Sequence, residues 1–558
     1  MNATEAERAS TRLELAALSL LAIVPILPYL VVLLDRGVPR FHLLADLAQM
    51  EYDTRRVWSG DTLLGLASRF GWSHPGPLLF YVLAPFQKLF GSSSTGVYVG
   101  TTLLSGAAAI ASVVAARIFA GRAHAIAILV VLLAWLTAFG NVAANPWVRV
   151  VVVLPLFAFL VLGAFFALGQ TAAGAPAIFF GAIAAETHVA TVPTVAIGSA
   201  CALGVFLIGK RRRARALHAR ERRHLWIGAA IAVVALVPPL VEQITGPHGR
   251  GNLARIVSFF GARTAPYKSL GAAIENWAIA TSWLPHRAAH LDLADDWQIP
   301  FAMRWDPIPA TAPASARITA AIFVASMLAA IVVARRRRDH ASLAWLVAGL
   351  LGSVLAINAL RAMVGDDHYS LIFWTTAASS LAWVGALSTA CAAIEARLAT
   401  LPARRSRIMG AAIALAGLLL AARATGVQRA WLARFPFAVA SDPEKAEGRV
   451  EIHRAIRAEV DRDGAVPVVH LDGAWEIAMS VVLEHDKEAL DLRLADADLW
   501  GFPGGRSAAG APRVKHVWFT TSLYPLRLAP CLDRLLAVGD VTVLVADRDV
   551  ASCDASPP

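Results

Sequence analysis

Charged residues are scarce in this chain of 558 residues: Asp, Glu, Lys and Arg together make up only 16% of it, whereas apolar residues make up 57%. The mean hydropathy is +0.57. Apolar runs of about eighteen or more residues, long enough to cross a bilayer, recur along the sequence. These properties argue against a soluble globular protein and predict an α-helical polytopic membrane protein.

Cysteine is also rare, with four residues whose spacing matches no zinc-site pattern. We therefore predict no metal site and no cofactor, although assistance by a divalent ion stays open. Cys201 and Cys391 fall within apolar runs and are expected to be small core residues. Cys531 and Cys553 flank the last predicted strand, where an oxidising compartment would permit a disulfide, so both the bridged and the free form are possible.

The positive charge is concentrated rather than spread. Lys and Arg number 51 against 40 Asp and Glu, a net charge of +11, with clusters at Arg211–Arg223, Arg335–Arg338 and Arg404–Arg407 beside apolar runs. This pattern is typical of cytoplasmic loops. We therefore predict membrane lipids, and no nucleic acid, as partners. The expected location is a bacterial-type inner membrane, with a cytoplasmic N-terminus and an extracytoplasmic C-terminus.

About eleven transmembrane helices are expected. The first run, 13–34, is too long for a signal-peptide core and is taken as a retained helix. Two topologies fit the later apolar runs. If 76–90 and a single helix over 177–208 both cross, Arg117 and Arg122 lie outside; if 76–90 lies in the interface and 177–208 crosses twice, they lie inside. The charge bias favours the second topology.

The chain divides by composition near residue 430. We expect a transmembrane domain over 1–430, with a first external loop at 35–75 and a long external loop at 242–315. Residues 431–558 carry more charge, and short β-like runs alternate there with helical patterns, which predicts a small extracytoplasmic α/β domain. The predicted strands are 466–471, 514–520 and 541–546, and the predicted helices are 449–460 and 475–483.

The stretch from Phe41 to Gly91 concentrates polar and ionisable groups between two membrane segments. A connector of this composition is typical of an active site at the membrane surface. Its candidate residues are Asp46, Gln49, Glu51, Asp53, Arg69 and His74.

The order of features in this stretch resembles the GT-C membrane glycosyltransferases. An Asp follows the first membrane helix, then come an acidic turn, the run RRVWSGD and a Pro-rich entry into a helix ending in Leu-Phe-Gly. The likeness is to the family 39-like branch of lipid A aminoarabinose transferases and protein O-mannosyltransferases. Asn145-Pro146-Trp147 and the segment from Pro238 to Phe260 add scattered similarity.

The resemblance implies a GT-C-like fold and a lipid-linked-sugar-dependent glycosyltransferase. Such an enzyme moves a sugar from a polyprenyl-phosphate donor to an envelope glycan, lipid or protein, by single displacement with inversion. It places the catalytic base at Asp46. His74 departs from the pattern, since related sequences carry a Lys before Pro-Pro there.

The residues themselves leave alternatives beside this assignment. A carboxylate at a membrane edge suits a general base, because burial tunes its pKa, but Asp46 could equally cap a helix. Glu51 and Asp53 either hold the acceptor or a divalent ion, or are solvated loop carboxylates. Arg69 and His74 bracket a Gly-Trp and are candidates for binding sugar or phosphate.

Ionisable residues within apolar runs are usually functional or paired. Glu186 and His188 lie two residues apart and point to different faces of a helix unless the helix breaks, which Pro193 favours. Asn145 opens an amide–aromatic–cation group at a helix boundary, either a sugar contact or an ordinary interfacial belt.

Arg361 opens a predicted external loop that ends at His368. A guanidinium binds phosphate oxygens in a bidentate manner, so Arg361 is a candidate for the donor phosphate, with an interface anchor or a pairing with Asp366 as the alternatives. Tryptophans of the 242–315 loop are candidates for stacking on sugar rings. They are Trp277, Trp283, Trp297 and Trp305.

The rival interpretation is a non-enzymatic membrane transporter or a sugar-lipid-binding protein. Transporters often show internal two-fold repeats. No such repeat is evident in this sequence, and its charges collect in one external loop, which favours an enzyme.

Overall fold

The computed structural model describes residues 3–68, 70–213, 217–246, 251–262, 266–289, 308–365, 368–400, 402–434, 443–471, 474–495, 513–521 and 532–547. The helices are α1 (Ala3–Ile23), α2 (Leu27–Arg36), α3 (Ala45–Arg55), α4 (Leu78–Leu89), α5 (Ser94–Phe119), α6 (Arg122–Ala138), α7 (Val148–Val151), α8 (Val153–Ala167), α9 (Gly174–Thr187), α10 (Val192–Arg213), α11 (Ala219–Thr245), α12 (Asn252–Gly261), α13 (Leu270–Ala289), α14 (Ala314–Arg337), α15 (His340–Arg361), α16 (Tyr369–Ile372), α17 (Thr376–Leu398), α18 (Ala403–Arg434), α19 (Pro443–Asp463) and α20 (Trp475–Lys487). The strands are β1 (Ala67–Ser68), β2 (Trp72–Ser73), β3 (Val466–Val469), β4 (Arg493–Leu494), β5 (Val514–Thr520), β6 (Asp533–Val538) and β7 (Val541–Ala546).

The chain forms two compact units, each assembled from three separate stretches. The helical unit comprises Met1–Val32, Thr101–Val237 and Arg263–Ala438. The mixed unit comprises Leu33–Gly100, Pro238–Ala262 and Val439–Pro558. The first external stretch and the C-terminal segment therefore belong to the same compact unit.

The helical polytopic architecture is confirmed. Eight helices in the described residues are long and apolar enough to cross a membrane, or nine if the bent pair Thr11–Ile23 and Leu27–Arg36 is one span. The two halves of that pair meet at 61°, and Pro25 between them lacks the N–H that a continuous helix requires. The apolar α4 and α6 are shorter, at 12 and 17 residues, which explains why about eleven runs were expected.

The run 177–208 folds as two helices rather than one. It breaks at His188, whose φ of −145° and ψ of 114° are extended. Phe159 of α8 packs on Gly198 of α10, and Phe166 stacks on Phe206 with ring centroids 4.8 Å apart, so α8 and α10 run in the same direction. Because α9 follows α8 through a short connection and packs on it, α9 runs the opposite way. The run therefore forms two antiparallel helices, of which only Val189–Arg212 is long and apolar enough to cross a membrane, and the double crossing stays a prediction.

The charged ends of several helices gather at one end of the helical unit. Glu14 of α1 bonds Arg117 of α5 at 2.8 Å and Arg122 of α6 at 2.6 Å. His124 Nε2 lies 3.0 Å from Asp339, which follows the Arg335–Arg338 cluster. These arginines are therefore on the side of the N-terminus, as the second topology predicts.

The segment 242–315 is more ordered than the predicted long loop. It contains α12 and the 20-residue α13, which packs against α6, α14 and α15. Trp277 and Trp283 of α13 are 8% and 7% exposed. The apolar face of α13 is interrupted by polar residues such as Asn276, which is why composition alone did not indicate a packed helix.

The C-terminal α/β domain is also confirmed. Its five-stranded sheet has the order β4-β3-β5-β7-β6, with β3 parallel to β4 and β5, and β7 antiparallel to β5 and β6. The predicted strands and helices correspond to β3, β5, β7, α19 and α20. The short β4 and the edge strand β6 were missed. Residues Cys531 and Cys553 lie outside the described residues.

Candidate active site

The catalytic candidate Asp46 lies in the first turn of α3. The sequence ADLAQMEYDTR contains no Gly or Pro and several good helix formers, which explains the helix. Asp46 is half-buried, and an acidic side chain at a helix N-terminus is favoured by the helix dipole. Ala45, directly before it, has a φ of +48°, an uncommon conformation for a residue other than glycine.

The polar residues of α3 divide between two faces. Asp46, Gln49 and Asp53 are separated by three and seven positions and therefore share one face. Glu51 lies about 140° around the axis from Asp46, at about 100° per residue, on a face that it shares with Arg55. The six predicted residues of this stretch thus do not form one surface.

The Glu51 face is bound to the C-terminal helix α20. Glu51 is fully buried, and Lys487 Nζ lies 3.2 Å from its Oε1, at ion-pair distance although without hydrogen-bond geometry. Lys487 also donates to Glu484 and to Ser94, both at 2.9 Å. Burial by itself would raise the pKa of Glu484, but Lys487 and further donors hold it below its usual value. Arg55 bonds Asp486 at 2.6 Å.

The Asp53 carboxyl on the other face is buried differently. It is 7% exposed. Burial raises the pKa of Asp53 to about 8, against the opposing effect of Arg56, which is bonded to Asp61 at 2.6 Å. Burial therefore favours the protonated form of Asp53, which can donate a hydrogen bond to a hydroxyl or phosphate oxygen.

His74 is positioned by a small hairpin. Strands β1 and β2 pair antiparallel around Gly71, whose φ is +76°. The His74 ring is 8% exposed and contacts Trp72 edge to face, with centroids 5.7 Å apart. Asn252 of α12 holds the neighbouring Ser73, accepting from its N–H at 2.7 Å and donating to its C=O at 2.8 Å. Arg69, also predicted for this site, lies outside the described residues.

The segment that follows α11 shows how Asn252 itself is held in place. Glu242 accepts from the Asn252 N–H at 2.7 Å and bonds Arg255 at 3.1 Å. Arg255 is thus bonded to Glu242, the carboxylate that also holds Asn252 beside the hairpin.

In the helical unit, Glu186 and His188 lie on either side of the break between α9 and α10. They are 5% and 7% exposed. Thr191 Oγ donates to the carbonyls of Ala184 and His188, at 2.7 and 2.8 Å, and so stabilises the break. Pro193 is the second residue of α10, where a proline costs no helical hydrogen bond. The expected break is present, so the two side chains no longer follow one helix.

A second group joins two distant stretches of the helical unit. The buried Asn145 accepts from the Trp147 N–H at 2.9 Å, and Arg149 lies over the Trp147 ring at 4.8 Å. Arg149 also donates to Ser370 Oγ at 3.2 Å. Arg149 and Ser370 are therefore neighbours, although more than two hundred positions separate them.

Arg361 ends α15 half-buried, and its Nε is buried without a hydrogen-bond partner among the described residues. Lys268 lies beside it: the Lys268 N–H donates to the Arg361 carbonyl at 3.0 Å, and its Nζ donates to the Gly365 carbonyl at 2.9 Å. The sequence analysis missed Lys268, because a lone Lys before α13 carries no local signal. The pair places two cations on one turn of the helical unit.

Trp283 packs against Phe139 and Tyr369, with centroid distances of 6.4 and 6.0 Å. Trp297 and Trp305 lie outside the described residues. Within the part of the chain that the structure describes, no three His, Cys, Asp or Glu side chains are grouped as metal ligands.

Comparison with known proteins gives matches among solved structures alone. No family model matches the sequence, and no curated protein matches it. Among solved structures, similarity extends over 97% of this chain and 98% of the other, at 14% identity and a TM-score of 0.47, to ArnT from Cupriavidus metallidurans bound to undecaprenyl phosphate. Over nearly its whole length, the chain resembles ArnT. The apo state of ArnT from the same organism matches with the same coverage and identity and a TM-score of 0.38.

Proposed function

We propose that the chain is a membrane glycosyltransferase that moves a sugar from a polyprenyl-phosphate donor to a cell-envelope acceptor. The observation that carries this proposal is the Asp46 face of α3. A half-buried carboxylate opens a helix just after the first apolar pair, and Gln49 and the buried Asp53 follow on the same face. The charged residues of the opposite face form ion pairs with α20. We therefore assign the Asp46 face to the reaction and the opposite face to holding the helix in place.

In the proposed reaction, the acceptor hydroxyl attacks C1 of the sugar from the side opposite the phosphate. Asp46 takes the hydroxyl proton as the new C1–O bond forms, and the C1–O bond to the phosphate breaks. The polyprenyl phosphate leaves and the configuration at C1 inverts. Asp53 and Gln49 are proposed to orient the acceptor or the sugar, and Arg69 and His74 to bind the donor.

The proposed donor contacts in the helical unit are the side chains at its helix breaks and turns. Arg361, supported by Lys268, is the candidate for the phosphate, because its Nε has no hydrogen-bond partner among the described residues and a guanidinium binds phosphate oxygens in a bidentate manner. Asn145, Glu186, His188 and His368 are proposed to contact the substrates. No metal or other cofactor is included in this mechanism.

We propose an inner-membrane location with the N-terminus in the cytoplasm and residues 431–558 outside, so that transfer takes place at the outer face. Reporter fusions after residue 440 test the orientation, because an export-dependent reporter is active there only if this segment is external. A fusion active only in the cytoplasm would contradict the proposed topology.

The test of the function is transfer by the purified protein with a polyprenyl-phosphate sugar. Asp46→Asn should lower turnover by about 10²- to 10⁴-fold, the usual contribution of a general base. The matched control is Asp35→Asn, which changes an exposed carboxylate at the end of α2 and should leave turnover unchanged. Normal turnover by Asp46→Asn contradicts the assignment. If the wild type binds the donor but transfers nothing, the chain is a sugar-lipid-binding protein instead.

A further inference from the structure

The chain enters the Asp46 helix through an uncommon backbone conformation. Phe41 is buried and has a φ of +58°, which residues other than glycine rarely adopt. Such a conformation persists only where the surrounding structure holds it.

Both backbone groups of Phe41 are held by the C-terminal segment. Its N–H donates to Glu484 Oε1 of α20 at 3.2 Å. Its carbonyl accepts two hydrogen bonds from the Arg449 guanidinium of α19, at 2.9 and 2.6 Å. Arg449 is only 3% exposed, and His453 packs on the Phe41 ring with centroids 5.3 Å apart.

Two ion pairs attach α3 itself to the same layer. Lys487 Nζ lies 3.2 Å from Glu51, and Arg55 bonds Asp486 at 2.6 Å. Glu51 and Arg55 lie one helical turn apart on the face of α3 that is opposite Asp46. The contacts therefore fix both the entry of the chain into α3 and the rotation of α3 about its axis.

We propose that the α19–α20 layer of the C-terminal domain positions Asp46 for catalysis, with Arg449 and Lys487 as its positioning residues. The inference rests on the proposed function, since it concerns the base of that reaction. Neither residue contacts the reacting atoms. They act through Phe41 and Glu51, and a small displacement of a base is sufficient to slow a reaction strongly.

Lys487→Met in the full-length protein tests this role. It keeps the apolar stem and removes the ammonium, so kcat should fall roughly 10- to 100-fold while the KM for the donor changes little, because misplacement of about 1 Å costs on the order of 100-fold. Amide hydrogen exchange of residues 45–55 should become faster, since α3 loses an anchor.

The matched control is Lys515→Met, which removes another buried lysine of the C-terminal domain that pairs with Glu459. It should leave kcat and exchange in α3 unchanged.

The double variant Glu51→Gln with Lys487→Met separates positioning from stability. It leaves no unpaired buried charge at Glu51, so its thermal stability should recover towards that of the wild type. If Lys487 positions the base, kcat stays low and α3 still exchanges fast in this variant. Recovery of kcat together with stability would show that Lys487 has only a structural role and would overturn the inference.

The exchange measurement separates the inference from the proposed function. Unchanged exchange of α3 in Lys487→Met overturns the inference even if the wild type is active. Faster exchange with unchanged kcat also overturns it, and leaves the transferase function standing. If the wild type transfers no sugar, the proposed function fails and the catalytic role of the layer fails with it, whereas faster exchange would still demonstrate the anchor.

Discussion

Glu51 and Arg361 are both charged residues, but Glu51 is fully buried whereas Arg361 is half-buried, and their surroundings differ. Glu51, in the mixed unit, is completely buried and has Lys487 at ion-pair distance. Arg361, in the helical unit, has a buried Nε without a partner among the described residues. A buried charge with a protein partner contributes to the fold, whereas one without a partner is available to a ligand. The sequence presents both as equal candidates for substrate binding.

Among the variants that test this difference between Glu51 and Arg361, Arg361→Ala is expected to have the largest effect. Loss of a charge-assisted contact to a phosphate costs about 1.5–3 kcal/mol, or roughly 10- to 150-fold in binding. We therefore expect donor use to weaken by that factor, and Arg361→Lys to restore only part of it, because Lys lacks the bidentate fork. The measurement is the dependence of turnover on the concentration of polyprenyl-phosphate sugar.

The control for Arg361 is Arg317→Ala, which removes a more exposed arginine of α14 and should leave donor use unchanged. If Arg361→Ala also leaves it unchanged, Arg361 is an interface anchor. The phosphate partner is then to be sought at Lys268, Arg69 and His368, while Arg255 is already bonded to Glu242.

Glu51→Gln should have the opposite profile. It leaves Lys487 with one carboxylate fewer in a buried site, so we expect a loss of about 1–3 kcal/mol of stability. The KM for the donor should not change, because Glu51 faces α20. Thermal unfolding and donor titration of the same preparation measure the two quantities. A large rise in KM with normal stability would place Glu51 in the substrate site after all.

Asp53→Asn tests the other face of α3 through pH. The pKa of Asp53 is raised to about 8 in the folded state, so its stabilising contribution is complete below the ordinary pKa of 3.8 and is lost as the pH rises through about 8. Between pH 4 and 8, the wild type should lose stability relative to the variant by at most about 1.4 kcal/mol per pH unit. Unfolding in detergent over pH 5–9 measures this, with the exposed Asp461→Asn as control. Parallel curves for wild type and Asp53→Asn would contradict the raised pKa.

The variant with the smallest expected effect at neutral pH is a substitution of His485 in α20. Burial lowers the pKa of His485 to about 4 and, with Arg449, lowers that of His42 to about 4. A lowered histidine pKa stabilises the fold above the ordinary value of 6.5, and this contribution is lost as the pH falls towards 4. We expect faster hydrogen exchange in α20 below about pH 5, and His485→Gln should reduce this acid sensitivity. Identical acid profiles of variant and wild type would refute the expectation.

Much of the fold could be predicted from the sequence. The apolar runs, the break near His188 favoured by Pro193, and the alternation of strands and helices after residue 430 all depend on local composition and periodicity. The packed helix α13 could not be predicted, because polar residues such as Asn276 and Glu275 hide its buried face. The strand β4, with two residues, carries too few for a pattern.

The candidate site could be predicted only in part. Local sequence identified the carboxylates around Asp46, but it could not distinguish Glu51 from Asp53. Their difference arises from Lys487, which lies more than four hundred positions away. Lys268 was missed for the same reason, since only the fold brings it to the turn after Arg361. Which of the predicted residues act on a substrate stays a prediction.

The sequence by itself determined that this chain crosses a membrane, which ends of its helices carry the positive charge, and where a polar stretch interrupts the apolar runs. These properties follow from the transfer of side chains between water and hydrocarbon, which depends on local composition. Only the tertiary structure decided which charges are paired, which carboxyl has a raised pKa, and that the C-terminal domain binds the segment that leads into the Asp46 helix. Electrostatic and hydrogen-bonding energies depend on distance and burial, and these are set by contacts between residues far apart in the chain.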